Sequence, residues 1–256
     1  MKQKSTATVV SQKQLAAGIY SLILKCPQAK DAKCGQFISL YCKAKEHLLP
    51  RPISICEIDK NESTLRLVYR VAGDGTKEFS ELAAGDTIEV LGPLGNGFES
   101  FLNEGQAPMV VGGGIGVPPM LQLAKDLSVS PMAVMGYRND DTFLTEEFTD
   151  AADLYIATDD GSIGTHGTVV DAIKENELKP DVIYACGPKP MLKALKSFAD
   201  SQGIKLYISM EERMACGIGA CLACVCQSKE VDDHSKVNNK RVCVDGPVFE
   251  ASEVEL

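Results

Sequence analysis

Basic residues are in short supply. Lysine and arginine number 26 against 35 aspartates and glutamates, for a formal net charge of −9. Binding driven by neutralising nucleic-acid phosphates is therefore not expected, and an acidic surface serves solubility or a basic partner. Residues Met1 to Val10 contain no apolar core of signal-peptide length. No apolar run approaches the ~20 residues of a membrane span. A cytoplasmic protein is expected, and its ten cysteines belong to a reducing compartment where disulfides are rare. Repeats and low-complexity tracts are also missing. The three histidines, His47, His166 and His234, lack the spacing of a metal site and receive no role. What remains is an ordinary globular composition, 45% hydrophobic and 24% charged. The 256 residues suffice for two cored domains and a small appendage.

The most specific stretch is Arg213-Met-Ala-Cys216-Gly-Ile-Gly-Ala-Cys221-Leu-Ala-Cys224, followed later by Cys243. Its Cys-x4-Cys-x2-Cys…Cys spacing is that of a plant-type [2Fe–2S] site held by four thiolates. Gly217, Gly219, Ala220 and Ala223 fill the loop with small residues, which lets backbone N–H groups approach cluster sulfurs. A structural zinc site also uses four cysteines, usually as a Cys-x2-4-Cys knuckle at each end, whereas the far end here offers Cys243 alone. Cys226 is read as a strand residue. Cys26, Cys34, Cys42, Cys56 and Cys186 also lie outside the ligand set, most of them as small buried hydrophobes.

Up to about residue 98, short alternating runs such as Ile19–Leu24, Phe37–Cys42, Leu65–Val71 and Thr87–Leu91 suggest a small antiparallel barrel. A single helix over Thr76–Leu82 interrupts it. Beyond Pro108, strands Met109–Val111, Met132–Gly136, Leu154–Ala157 and Val182–Cys186 alternate with helices, near Val169–Glu175 and Pro190–Ser201 among others. That pattern argues for an open parallel sheet. Boundaries are placed near 100 and 206, giving segments 1–100, 101–206 and 207–256.

Gly112-Gly113-Gly114-Ile115-Gly116-Val-Pro-Pro119 follows a strand and opens a helix, presenting backbone N–H groups to a pyrophosphate. It departs from Gly-x-Gly-x-x-Gly by placing prolines where the third glycine would sit. Asp159 and Asp160 precede Gly161 where an adenosine ribose would lie; a carboxylate there binds a 2′-hydroxyl and repels a 2′-phosphate. Both aspartates also suit a turn. Cys186-Gly187-Pro188 closes a strand at the carboxyl edge of the sheet, so Cys186 either faces a nicotinamide or simply packs. In the barrel, Arg51-Pro52-Ile53-Ser54 and Gly75-Thr76 offer a guanidinium, a hydroxyl and helix amides to a second diphosphate; the alternatives are a surface ion pair and an N-cap.

Together these motifs resemble the ferredoxin–NADP⁺ reductase superfamily and, more closely, the electron-transfer subunits of class 1B dihydroorotate dehydrogenase. The resemblance covers essentially the full length. It implies a multi-domain β plus α/β fold: a six-stranded antiparallel FAD-binding barrel, a Rossmann-like NAD domain and a small [2Fe–2S] subdomain. Arg51, Pro52, Ile53 and Ser54 match the family's flavin motif, with Val68, Tyr69, Arg70, Gly75 and Thr76 as further FAD contacts. Gly112 to Gly116, Asp159, Cys186 and Gly187 would serve NAD, and Cys216, Cys221, Cys224 and Cys243 the cluster. The resemblance further implies a partner, an FMN-containing catalytic subunit, in a heterotetramer of two catalytic and two electron-transfer subunits. Electrons would run from dihydroorotate through FMN, cluster and FAD to NAD⁺. The chain has no room for the FMN-binding (β/α)8 barrel, which needs ~250 residues. Hydrogenase γ-type and ferredoxin:NADP⁺ oxidoreductase subunits are the nearest alternatives. The polar insert Ser228–Lys240 departs from the family pattern.

Overall fold

Alternating runs in the first hundred residues become six strands of a closed barrel. The computed structural model describes residues 3–44, 46–102, 105–231 and 236–256; His234 and part of the Ser228–Lys240 insert lie outside them. The strands are β1 (Gln3–Ala16), β2 (Ile19–Lys25), β3 (Phe37–Tyr41), β4 (Arg51–Asp59), β5 (Thr64–Arg70) and β6 (Thr87–Leu94), in the order β1-β2-β5-β4-β3-β6. β6 shows the cause directly, with alternate residues buried along most of its length. Helix α1 (Asp74–Ser80) begins two residues earlier than the expected helix. Leu22, Leu24, Ile38, Leu40, Leu65, Leu67 and Tyr69 fill the barrel interior.

The second half folds as an open sheet: β7 (Pro108–Gly113), β8 (Met132–Tyr137), β9 (Asp153–Thr158), β10 (Thr165–His166), β11 (Val182–Cys186) and β12 (Lys205–Ser209). Helices α2 (Pro118–Asp126), α3 (Thr145–Ala151), α4 (Val169–Glu175) and α5 (Lys189–Gln202) intervene. Every residue of β7 and of β11 is buried, as expected of parallel strands covered on both faces. Pro118 and Pro119 stand in the first turn of α2, where a missing N–H costs nothing. Prolines are therefore tolerated where the usual third glycine would sit. Helix α3 escaped the sequence reading because only Phe148 in its seven residues is buried, too little for a periodic signal.

The sheet order is β10-β9-β8-β7-β11-β12-β15, where β15 (Val248–Glu250) pairs antiparallel with β12. Strand order therefore reverses beside β7, the position where open α/β sheets bind ligands. Strands β13 (Val225–Gln227) and β14 (Asn239–Arg241) form a hairpin, with Cys226 buried in β13. One core cluster joins barrel residues Ala16, Ile19, Val68 and Phe98 to Val117, Met120 and Tyr184 of the sheet unit. A second joins the other sheet face to Cys224, Val242 and Cys243. Among the described residues, no helix is long and apolar enough to cross a membrane.

Candidate functional site

Residues 51–54 break the barrel's alternation. All four are half-buried, as on a strand that lines an open crevice rather than dividing core from solvent. Pro52 pairs with Ser39 of β3, and Ser54 with Phe37. The Arg51 guanidinium lies against the backbone of Gly75: a methyl built there would come within 2.6 Å of Nε and 3.0 Å of Cζ. Arg51 Nη1 also donates to the Leu49 carbonyl at 2.5 Å. Two segments far apart in sequence, both read above as flavin motifs, thus meet through one arginine.

Thr76 plays the capping part. Its hydroxyl accepts from the amides of Ala72 (2.9 Å) and Gly73 (3.2 Å) and donates to the Gly73 carbonyl (2.9 Å). Tyr69 is buried in the barrel, where its hydroxyl donates to Gln12 Oε1 at 3.0 Å, so its ring belongs to the core. Val68 packs in the cluster shared with the sheet. Arg70 is exposed, and a methyl on Gly114 would lie 3.5 Å from its Nη2. The barrel thereby reaches the glycine-rich turn.

That turn presses on the next motif. A methyl on Gly116 would overlap the Cys186 carbonyl, and one on Gly187 would lie 3.2 Å from Gly113 N. The glycines are required by this backbone-to-backbone approach, and Gly114 additionally has φ +54°. Cys186 is fully buried. Burial, then the charge of Glu211, push its thiol up, while a hydrogen bond with Ser209 opposes them; it stays protonated. Glu211 follows β12 and was not anticipated; the one clue was a carboxylate just past a strand at the ligand edge. Solvent still reaches its side chain, yet surrounding walls desolvate the carboxyl and raise its pKa against the pull of Arg70. Its charge is thus felt at Cys186, and that of Arg70 at Glu211.

The two aspartates after β9 separate into roles. Asp160 Oδ1 accepts from Ser162 N (2.9 Å) and Oγ (2.6 Å), which makes it the turn former. Asp159 is exposed at the strand end, its amide donating to the Tyr137 carbonyl at 3.1 Å.

In the cysteine loop Gly217 (φ +67°) and Gly219 (φ +85°) take left-handed conformations. Cys216 and Cys221 sulfurs are 3.3 Å apart. The Val242 amide donates to the Cys224 carbonyl at 3.0 Å, which sets Cys243 beside Cys224. The Cys243 thiol is pushed up to about 12 by burial and by Cys224. Cys216 behaves oppositely. Burial opposes its ionisation, but amides of Cys221 and Ile218 hydrogen-bond the sulfur and bring the thiol down to about 6. The sulfurs thus form two pairs, and among the described residues no group of three or more His, Cys, Asp or Glu is placed to hold one metal ion. Two pairs of thiols fit the four-cysteine ligand set of a two-iron cluster. Arg241 braces the loop through Asp245 (3.3 Å) and the Gly219 carbonyl (3.4 Å). Gly217 packs against Leu94 and Ser39 of the barrel, the latter being the partner of Pro52.

A cavity of about 700 Å³ lies elsewhere, between barrel and α2, lined by Glu57, Arg66 and Lys125 among others. These three charges are mutually paired: Glu57 binds Arg66 (2.6 Å) and Lys125 (2.5 Å), and Arg66 also binds Glu147 (3.1 Å). This lattice ties β4 and β5 to α2 and α3.

A family model described as the iron-sulfur cluster binding domain of dihydroorotate dehydrogenase B matches residues 211–255, and an oxidoreductase FAD-binding domain matches residues 6–98. The dihydroorotate dehydrogenase B (NAD(+)), electron transfer subunit, of Listeria monocytogenes serotype 4a (strain HCC23) is 49% identical over 256 residues, covering 97% of each chain. Its namesake from Geobacillus sp. (strain WCH70) is 46% identical over 264 residues and covers 100% of both. Among solved structures, that of the NADH-dependent reduced ferredoxin-NADP oxidoreductase matches with TM-score 0.87 at 29% identity, over 100% of this chain and 91% of the other. Flavohemoglobin from Malassezia yamatoensis (TM-score 0.66, 19% identity, 78% of this chain and 57% of the other) shares the fold alone.

Proposed function

The chain belongs to the electron transfer subunits of dihydroorotate dehydrogenase B, and from that premise we propose a division of work among its residues. Segment 1–100 holds FAD, with Arg51 and the Gly75 backbone at the diphosphate and Pro52, Ile53 and Ser54 along the flavin. Val68 and Tyr69 support that wall from behind. Segment 101–206 binds NAD, its pyrophosphate on Gly112–Gly116 and its ribose at Asp159, with Cys186 and Gly187 beside the nicotinamide end, while Arg70 serves the flavin from the barrel side. Segment 207–256 carries the [2Fe–2S] cluster on Cys216, Cys221, Cys224 and Cys243.

One observation carries this reading: the three parts converge. Gly217 of the cysteine loop packs on Ser39, the pairing partner of Pro52, and Arg70 reaches Gly114. A cluster, a flavin and a dinucleotide held by these residues would be neighbours. NAD⁺ takes two electrons as a hydride and a [2Fe–2S] centre one at a time, and FAD supplies the chemistry between them. The chain's own contribution is placement: it orients both nucleotides at the switch point and holds the cluster loop on the barrel.

The catalytic subunit bearing FMN would deliver electrons from dihydroorotate, in a cytoplasmic tetramer of two catalytic and two electron-transfer chains. Full-length similarity to the ferredoxin-NADP oxidoreductase structure favours, as a second reading, service in another reductase complex. Anaerobic co-purification separates them. A partner containing FMN, together with dihydroorotate-dependent NAD⁺ reduction by the complex, supports the first. Absence of iron and acid-labile sulfide from such preparations would defeat both.

A further inference from the structure

Two adjacent leucines stand in solvent immediately before the flavin motif: Leu48 is 84% exposed and Leu49 51%. Single exposed leucines need no explanation. These two differ because the segment presenting them is pinned at both ends. At its start the Glu78 carboxylate of α1 accepts the amides of Lys43 (2.5 Å) and Ala44 (3.3 Å). At its end Arg51 Nη1 holds the Leu49 carbonyl at 2.5 Å.

We propose that Leu48 and Leu49 form an apolar shelf for the adenosine half of FAD. The inference rests on the reading that Arg51 marks the flavin diphosphate. On that reading the flavin runs along β4 from Arg51 toward Ser54, which leaves the Leu49 side of Arg51 for the rest of the dinucleotide. Two and three residues span at most ~7–10 Å of chain, so both leucines stay within reach of a group attached to that diphosphate. An adenine face against two leucine side chains removes apolar surface of both from water. The same Arg51 guanidinium fixes the diphosphate and the leucine-bearing backbone, so the shelf is registered to the phosphate it serves.

FMN lacks the adenosine and gives the discriminating probe. Full-length chain with its cluster intact is stripped of flavin anaerobically and titrated with FAD and with FMN by flavin fluorescence. In the Leu48→Ser/Leu49→Ser double variant, FAD affinity is expected to fall about tenfold while FMN affinity stays unchanged. Leu48→Phe, which restores a large apolar surface, should keep FAD binding near wild type. Equal weakening toward both flavins would overturn the proposal, because the leucines would then act through Arg51 on the phosphate. Unchanged affinity for both, with weakened association to the catalytic subunit, would overturn it in favour of a protein contact. Failure of the underlying reading looks different: wild-type chain would itself bind neither flavin.

Discussion

Gly75 lies inside α1 without a positive φ, so nothing in its own backbone demands glycine. Alanine there should favour the helix by ~0.5–1 kcal/mol. The added methyl, however, would stand 2.6 Å from Arg51 Nε and 3.0 Å from Cζ and Nη2. Ordinary contacts are ~3.5–4.0 Å, so the guanidinium must withdraw by roughly 1 Å. A flexible arginine can do this without unfolding anything, but hydrogen bonds to a phosphate weaken steeply over such a shift. Losing one charge-assisted bond costs ~1.5–3 kcal/mol, which corresponds to about 10- to 150-fold in Kd. Gly75→Ala is therefore expected to hold or raise the thermal midpoint of the flavin-free chain while weakening FAD by one to two orders of magnitude. Differential scanning fluorimetry and a flavin titration read the two effects separately. Undiminished FAD affinity in a folded variant would refute the placement of the diphosphate at Arg51. A falling midpoint would show instead that the Arg51–Gly75 contact is chiefly structural.

Cys221→Ser removes one sulfur of the Cys216–Cys221 pair and should abolish the cluster, read as iron, acid-labile sulfide and the reduced EPR signal. FAD content and NADH-driven dye reduction should survive; loss of flavin along with iron would contradict the division of labour. Asp159→Ser should narrow the NADH over NADPH preference in kcat/KM by about tenfold, and an unmoved ratio would remove Asp159 from coenzyme choice. Burial alone would raise the Glu57 carboxyl, but hydrogen bonds from Lys125 and Arg66 outweigh it and hold its pKa below the usual carboxylate range. Its stabilising effect is complete above that range and fades as pH falls through the lower, folded pKa. Glu57→Gln should thus be less stable than wild type near neutrality, with the two converging in acid. A constant gap in urea midpoints across that range would show that packing, not charge, is responsible.

Legibility followed the distance between interacting residues. The ladder of strands, helices α4 and α5, and Cys226 as a strand residue could be read because burial period and turn residues are local properties. Arg51-Pro-Ile-Ser54 and the glycine-rich turn were visible as motifs. Tyr69 shows the limit: it sits in a matching stretch, yet the inward side of β5 places its ring in the barrel core. Glu211 shows the converse, since a lone carboxylate carries no pattern until folding brings it within electrostatic reach of Arg70 and Cys186. The pairing of β15 with β12 was equally hidden, because three residues cannot announce which sheet edge they complete.

Sequence alone pointed to the chemistry of the cysteine loop, because three thiols and two glycines at a recognisable spacing lie within one short segment, with Cys243 to be supplied from further along the chain. It likewise determined the glycines that bring backbone to a diphosphate. Only the tertiary structure decided how these parts meet: Arg51 on Gly75, Gly116 on Cys186, and Gly217 on Ser39. Each is a close approach between segments far apart in the chain, set by how barrel, sheet and cysteine loop pack their shared cores. No spacing or periodicity along the chain encodes such an approach.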